Sequence, residues 1–300
     1  GRLTAIVLGS AAGGGFPQWN CRCPVCRLAW AGDSRVRPRT QASLAVTGDG
    51  ENWVLINASP DLPQQIRQSK ALQPRSGTRC SPIKSVLLTG AEIDQVAGLL
   101  SLRERQPFTL MATSVSLDAL ADNPVFGVLS PELVVRQAIA PAEPVALPGG
   151  LQARLFIAPG KSPLYLEGDD PETASETAAN VGVEIFAGAA HIAYIPGAAT
   201  VTTAMREHIA RANVVFFDGT LFDDDEMIRA GAGTKTGRRM GHMPIEGEGG
   251  SLAALESIAA RRIFVHINNT NPILIDGSPE RLHVEGRGWE VAEDGMEIVL

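Results

Sequence analysis

The chain has 300 residues, 44% hydrophobic and 20% charged, a composition that fits a folded globular protein and excludes a disordered one. Its formal net charge of -7 argues against a nucleic-acid partner, because affinity for phosphate backbones rests on Lys and Arg, and no basic run offsets the acid. The longest stretch without Asp, Glu, Lys or Arg, residues 185–205, contains Pro196, two glycines and three threonines, and so reads as strand, turn and helix start, not as a membrane span.

A strand over residues 3–8 opens the chain, too short in its apolar part for a signal peptide, and GSAAGGG follows it. No Lys-Ser/Thr comes next, as a phosphate loop would need. The glycines are read as a tight path that brings the next segment back over the sheet. That segment is Cys21-x-Cys23-x-x-Cys26. Such close spacing is poor for disulfides, whereas three soft thiolates suit tetrahedral zinc and still require a fourth ligand. No helix start marks one of them as an activated nucleophile.

Strands are expected at 43–46 and 53–57, then a helix at 60–68. Cys80, next to a strand start, reads as a small half-buried filler. A strand at 85–89 runs through Thr89-Gly90-Ala91-Glu92-Ile93-Asp94-Gln95 into a helix at 95–102, placing two acids at a strand end, where α/β proteins assemble sites; the plainer reading has them complement the helix dipole. A strand at 108–112 and helices at 114–121 and 131–135 follow. Residues 147–176, rich in Pro, Gly and acid, are either a flap over a site or an inserted surface loop.

In the second half, strands are expected at 153–157, 181–186, 191–195, 214–218, 262–267 and 297–300, with helices at 204–211, 250–260 and 279–287. Two strands end in Asp218-Gly219-Thr220 and in His266-Ile267-Asn268-Asn269, aiming Asp218 and His266 out of the core edge. His242 sits in a glycine-flanked loop beside Arg238 and Arg239, while His191, His208 and His283 read as solvated or satisfied. The first half appears as strands joined by tight turns, the second as alternating strand and helix. The fold class is α/β, a layered protein with mixed sheets in a single domain over 1–300.

The strings GSAAGGGFPQWNCRCPVC, RTQASLAV, NASPD, IDQVAGLLSLRE, FFDGT, DDDEMIRAGAGTKTGRRMGHM and HINNTNPIL resemble the pyrroloquinoline quinone (PQQ) biosynthesis protein B family, and more broadly the metallo-β-lactamase fold. That resemblance implies a four-layer αββα sandwich. It also implies a cytoplasmic protein of PQQ biosynthesis, either an iron-dependent oxygenase acting on the tyrosine part of a peptide-derived precursor or a carrier of PQQ or its precursor. Other proteins of the same biosynthesis and a second copy of the chain are the further partners expected.

The HxHxDH motif of related zinc phosphodiesterases falls here on Gly90, Glu92, Asp94 and Gln95, their next ligand histidine near Pro159-Gly160, and their bridging aspartate near Pro196-Gly197. A two-metal hydrolase is therefore not expected. What remains is one mononuclear site built on Asp94 and His266, with Glu92 as a further ligand and Asp218 and His242 as ligands or proton-transfer groups. A mix of His and carboxylate with open positions suits Fe(II). Gln95 stands where the family usually has His, so Gln95→His is expected to raise iron affinity. Arg238 and Arg239 are expected to attract an acidic precursor. For the zinc on Cys21, Cys23 and Cys26, the ligand histidine of the related phosphodiesterases falls on Asn269, so the fourth position is expected to hold Asn269, water or a group of the precursor.

Overall fold

Along residues 181–186, Val181, Val183 and Ile185 alternate with Gly182, Glu184 and Phe186. In a strand this period of two sends the two sets to opposite faces. The first set joins an apolar layer between two sheets. The computed structural model describes residues 2–161 and 177–300. The strands and helices in chain order are β1 (Thr4–Gly9), α1 (Pro24–Trp30), β2 (Ser43–Thr47), β3 (Trp53–Ile56), α2 (Leu62–Gln68), β4 (Ile83–Leu87), α3 (Ile93–Val96), β5 (Phe108–Ala112), α4 (Ser114–Ala121), β6 (Val134–Ala138) and β7 (Pro144–Ala146). They continue as β8 (Gln152–Ile157), β9 (Val181–Ala187), β10 (Ala190–Ile195), α5 (Thr203–Ile209), β11 (Val214–Asp218), α6 (Glu226–Arg229), α7 (Ser251–Ala254), β12 (Arg261–Val265), α8 (Pro279–Gly286), β13 (Trp289–Val291) and β14 (Glu297–Val299).

The strands form two seven-stranded sheets, ordered β14-β1-β2-β3-β4-β5-β6 and β13-β12-β11-β10-β9-β8-β7. Each is half antiparallel and half parallel: β3 through β6 run parallel in the first, β10 through β13 in the second. The expected contrast between a hairpin-rich first half and an alternating second half is thus corrected, since both sheets share one plan. A second apolar cluster packs α2, α3 and α4 on the outside of the first sheet, and a third packs α1, α5, α7 and α8 on the second. The result is the expected α/β four-layer αββα sandwich of the metallo-β-lactamase fold. Among the described residues, no helix is long and apolar enough to cross a membrane.

Several elements differ from expectation for physical reasons. Residues 131–135 are not helical: Val134 and Val135 begin the edge strand β6, where β-branched side chains fit the pleat. The helix expected over 250–260 is only Ser251–Ala254. Strands β7 and β13, each of three residues, were too short to show a period. Helix α1 escaped because its cap is unusual. Pro24 opens it, and Cys23 is the N-cap, its Sγ accepting from Cys26 N at 3.4 Å. Ser, Thr, Asp and Asn are the caps that a reader looks for. A helix start therefore does lie within the cysteine motif. Of the expected flap, residues 162–176 lie outside the described residues.

On the outer face of the second sheet Glu184 is fully buried, yet four basic side chains meet it. His208 Nδ1 lies 2.6 Å away, His191 Nε2 3.0 Å, Arg154 3.3 Å and Arg211 3.5 Å. His208 and Arg211 lie in or just after α5, so the cluster pins that helix to β8, β9 and β10. His191 and His208 are thus satisfied. Burial alone would raise the Glu184 pKa, but the hydrogen bonds and charges of the two histidines outweigh it and bring it from 4.5 down to about 2. A carboxyl lowered on folding contributes stability above its unfolded pKa and loses it as pH falls from about 4.5 towards 2. Glu184→Gln should accordingly destabilise the protein to urea at neutral pH, by a margin that narrows across that window. A margin that stays constant with pH would show that the charge of Glu184 is not what stabilises.

Candidate functional site

The parallel halves of both sheets end on the same side, and their carboxyl ends carry the polar residues that the sequence pointed to. Asp94 follows β4 at the start of α3, Asp218 ends β11, and His266 follows β12. Asp94 and His266, with His242 from the loop after α6, line a cavity of about 460 Å³, and Asp218 is buried behind them. One wall is the glycine loop after β1: Gly14 has φ +95°, which L side chains rarely adopt, and a Cβ there would lie 2.9 Å from Gln18. The expected tight backbone path is therefore real, and Gly13 and Gly14 line the cavity.

Asp218 is fully buried and its oxygens are fully occupied. Oδ1 accepts from Thr220 N (3.0 Å) and Thr220 Oγ1 (2.6 Å), and Oδ2 from Ala198 N (3.0 Å) and His242 Nδ1 (2.6 Å). Burial opposes its ionisation, but the charge and hydrogen bond of His242 outweigh that and hold its pKa below the usual carboxylate range. Because Asp218 is an acceptor, His242 carries its proton on Nδ1, leaving Nε2 as the other reactive nitrogen.

Thr220 was not singled out in the sequence, yet its hydroxyl ties the site together. Having given its hydrogen to Asp218, it can only accept from His266 Nδ1 at 2.8 Å. His266 Nε2 then faces Asp94 Oδ2 at 2.9 Å. With Nδ1 protonated, a carboxylate and an imidazole lone pair oppose each other, and a cation must sit between them. A proton or a metal ion meets that need. The spacing also matches adjacent ligands of an ion with bonds near 2.1 Å, which stand about 3 Å apart. Burial opposes both charges, but mutual attraction leaves the Asp94 pKa lowered and that of His266 raised.

The His242 and His266 rings are stacked, with centroids 5.2 Å apart and planes at 18°. Asp218, His242 and His266 cluster within 4.8 Å, around the Thr220 hydroxyl. Asp218 thus orients His242 and Thr220, within a cluster whose spacing is also compatible with an ion.

Glu92 lines the cavity and also has a structural role. It is the N-cap of α3, where it and Gln95 form a capping box: the Glu92 side chain accepts from Gln95 N and Gln95 Oε1 from Glu92 N. Its carboxylate also lies 3.9 Å from Lys161 Nζ. Gln95 Nε2 bonds Thr89 at 3.2 Å, so both ends of the Gln95 amide are used in holding the start of α3. Arg238 and Arg239 do not line the cavity. They sit in the short turn Arg238–Met240, Arg238 exposed and Arg239 half-buried. The cations that do line it are Lys161 and Lys235, which no sequence pattern had marked.

Behind this wall the three thiols gather, their sulfurs within 4.8 Å of one another. The sulfurs of a tetrahedral zinc site stand roughly 3.8 Å apart, so the cluster fits that ion. The amide of Asn269 covers the open side, with Nδ2 at 3.1 Å from Cys21, 3.3 Å from Cys26 and 3.8 Å from Cys23. A half-turn of the planar amide presents Oδ1 from the same place. The interaction with Cys26, with burial, pushes the Cys23 thiol well up, and the same interaction lowers Cys26.

The dependence of both imidazoles on one hydroxyl is open to direct measurement. In Thr220→Val, nitrogen NMR of the imidazoles should show His266 released from its Nδ1-protonated form, whereas Thr220→Ser should keep the wild-type pattern. Unchanged His266 signals in the valine variant would overturn the role given to Thr220.

Residues 52–267 match the Beta-lactamase superfamily domain. The chain is 56% identical to the coenzyme PQQ synthesis protein B of Methylobacterium sp. (strain 4-46), over 99% of this chain and 100% of that protein, and 54% identical to that of Rhizobium meliloti (strain 1021), over 99% and 98%. The crystal structure of Zn(2+)-bound PqqB from Methylobacterium extorquens superposes with a TM-score of 0.97 at 56% identity, covering 98% of this chain and 99% of that one. A diphosphatase of the PhnP family shares the fold, with a TM-score of 0.69 at 19% identity. On these likenesses, and on the two-sheet architecture that carries the site, the chain belongs to the coenzyme PQQ synthesis protein B family of the β-lactamase superfamily.

Proposed function

We propose that the protein acts in the biosynthesis of coenzyme PQQ, as an iron-dependent oxygenase that hydroxylates the tyrosine part of a peptide-derived precursor in the cytoplasm. The observation that carries the reading is the pair of opposed acceptors, Asp94 Oδ2 and His266 Nε2, 2.9 Å apart on the wall of a cavity large enough for an aromatic side chain and its flanking groups. Their mix of hard carboxylate and borderline imidazole, with no thiolate, fits Fe(II). An iron held by these two residues would supply the redox chemistry with dioxygen.

The rest belongs to the chain's own groups. His242, oriented through Nδ1 by Asp218, presents Nε2 to take the phenolic proton of the substrate, in the manner of a carboxylate-backed imidazole base. Lys161 and Lys235 bring positive charge to the cavity and draw in a precursor rich in carboxylates. Ala12, Ala91, Ile93, Met227 and Met240 give it apolar walls that limit water. Cys21, Cys23 and Cys26, with Asn269 as fourth ligand, would hold a zinc whose role is to fix the loop after β12.

One observation favours the competing reading of a carrier that binds PQQ or its precursor without turnover. Glu92 and Gln95 cap α3, and among the described residues Asp94 and His266 are the pair that face each other directly, so a second metal would rest chiefly on two protein ligands. Gln95→His, expected from the sequence to raise iron affinity, would also break that cap, so its gain in iron should come with a loss of thermal stability.

Two experiments separate these readings. After anaerobic loading with ferrous iron, the protein should take up dioxygen in the presence of the tyrosine-containing precursor. Asp94→Ala and His266→Ala should lose the iron, whereas His242→Ala should keep it and lose turnover. Tight precursor binding with no oxygen uptake by the loaded wild type would leave the carrier reading standing. For the thiolate site, elemental analysis should find about one zinc per chain, lost in Cys23→Ser together with thermal stability. Full zinc content in that variant would sink the assignment.

A further inference from the structure

The Glu184 cluster has a charge imbalance that its structural role does not use. One carboxylate faces two guanidinium groups, Arg154 and Arg211, so the cluster keeps at least one net positive charge whatever the state of His191 and His208. Each guanidinium has five N–H donors, and Glu184 takes one from each through long contacts of 3.3 and 3.5 Å. Arg154 also lies over the Phe186 ring, at 5.1 Å, which fixes its plane. The nearby acids Glu143 and Glu207 are exposed, and among the described residues neither pairs with these arginines. Among the described residues, Glu184 is thus the one carboxylate set against these two guanidinium groups, which makes a preorganised cationic corner in a chain of net charge -7.

The corner opens onto space. Arg154, Arg211 and His208 line a shallow cavity of about 440 Å³. His208 and Ala142 continue from it into a second cavity of about 300 Å³ with Pro141, Phe156 and Met205 along its walls. His208 is the hinge between the two, stacked on Phe156 at 4.8 Å with planes 7° apart and bonded to Glu184. The groove is basic at one end and apolar at the other. It lies away from the metal cavity: Glu184 is four residues along β9 from Asn180, which lines that cavity, so roughly 13 Å separates them along the strand.

We propose that this groove is a second ligand site, for a small organic anion that sets a carboxylate or phosphate against Arg154 and Arg211 and lays an apolar body over Phe156 and Met205. The guanidinium fork matches planar or tetrahedral oxyanions in two-point contact. The buried Glu184 holds both forks in place before the ligand arrives, so little conformational freedom is lost on binding.

Phenyl phosphate is a suitable probe, with inorganic phosphate and benzyl alcohol as its two halves. The chain has five histidines, so each imidazole can be followed by proton NMR. Phenyl phosphate should shift His208 and His191 saturably, and inorganic phosphate should do so at least about tenfold more weakly, with benzyl alcohol silent. Arg211→Ala, at an exposed position, should weaken phenyl phosphate about tenfold, with Arg211→Lys in between. Ala204→Trp, at the exposed lip of the apolar end, should abolish the advantage of phenyl phosphate over phosphate while sparing phosphate itself. Shifts confined to His242 and His266, or binding insensitive to both Arg211→Ala and Ala204→Trp, would overturn the site. Those outcomes say nothing against the metal cavity, whose test is iron content and oxygen uptake.

Discussion

A single buried carboxylate, Asp218, sets the geometry on which the candidate site depends. Its four hydrogen bonds fix the Thr220 hydroxyl and the His242 ring, and through Thr220 they fix His266. The consequence is electronic as well as geometric. Both imidazoles must carry their protons on the buried side, so each turns its other nitrogen toward the cavity. Burying an ionised Asp costs several kcal/mol unless every lone pair is satisfied, and here each one is. That cost is met only if β11 delivers Asp218, the following turn delivers Thr220, and the loop at 242 delivers an imidazole to the same point. The site is therefore coupled to the register of β10, β11 and β12 and does not rest on a mobile loop.

The backbone at His266 bears the same stamp. Its φ of +54° is uncommon for a residue with a side chain and costs on the order of 1 kcal/mol. Two backbone bonds on the residues that follow hold it there: Ile267 N donates to Ser10 O and Asn268 N to Thr220 O. The strained residue is the one that faces Asp94. A relaxed extension of β12 would have sent the imidazole along the strand and away from the first sheet, which supplies Asp94. The two halves of the proposed metal site come from different sheets, and the left-handed turn at His266 is what brings them within 2.9 Å.

Much of this was legible in the sequence, for one reason: apolar strands that end in Asp, His or small polar residues mark the carboxyl edge of a parallel sheet, where sites are assembled. That logic found Asp94, Asp218 and His266, and the spacing of Cys21, Cys23 and Cys26 needed only coordination chemistry. What stayed hidden depends on partners distant in the chain. Nothing local distinguishes Thr220 from any other threonine after a strand; its importance lies in meeting a loop 22 residues away and a strand end 46 residues away. The capping box of Glu92 and Gln95 was missed, because an acid followed three residues later by an amide was read only for what it could offer a metal or the helix dipole. Lys161 and Lys235 lie in segments without period, so no pattern could assign them to the cavity.

The thiol cluster and the cavity also prove to be two ends of one strap. Asn268 lines the cavity, Asn269 places its amide on the three sulfurs, Thr270 donates to the buried Glu226 at 2.8 Å, and Asn271 Nδ2 donates to Gly219 O at 2.9 Å. Asn268 and Asn271 are both tied to the turn after β11, Asn269 to the thiols and Thr270 to α6, so none can shift without pulling on its neighbours. A zinc on the cysteines would tighten the Asn269 end of this strap, three residues from His266, and so would act on the imidazole without touching it. The cysteine motif lies in the segment after β1 and His266 after β12, near opposite ends of the chain. Metal binding at the thiolates would then join those ends at the point where the wall of the cavity is made, which is a reason for the fold to keep three cysteines that do not themselves line it.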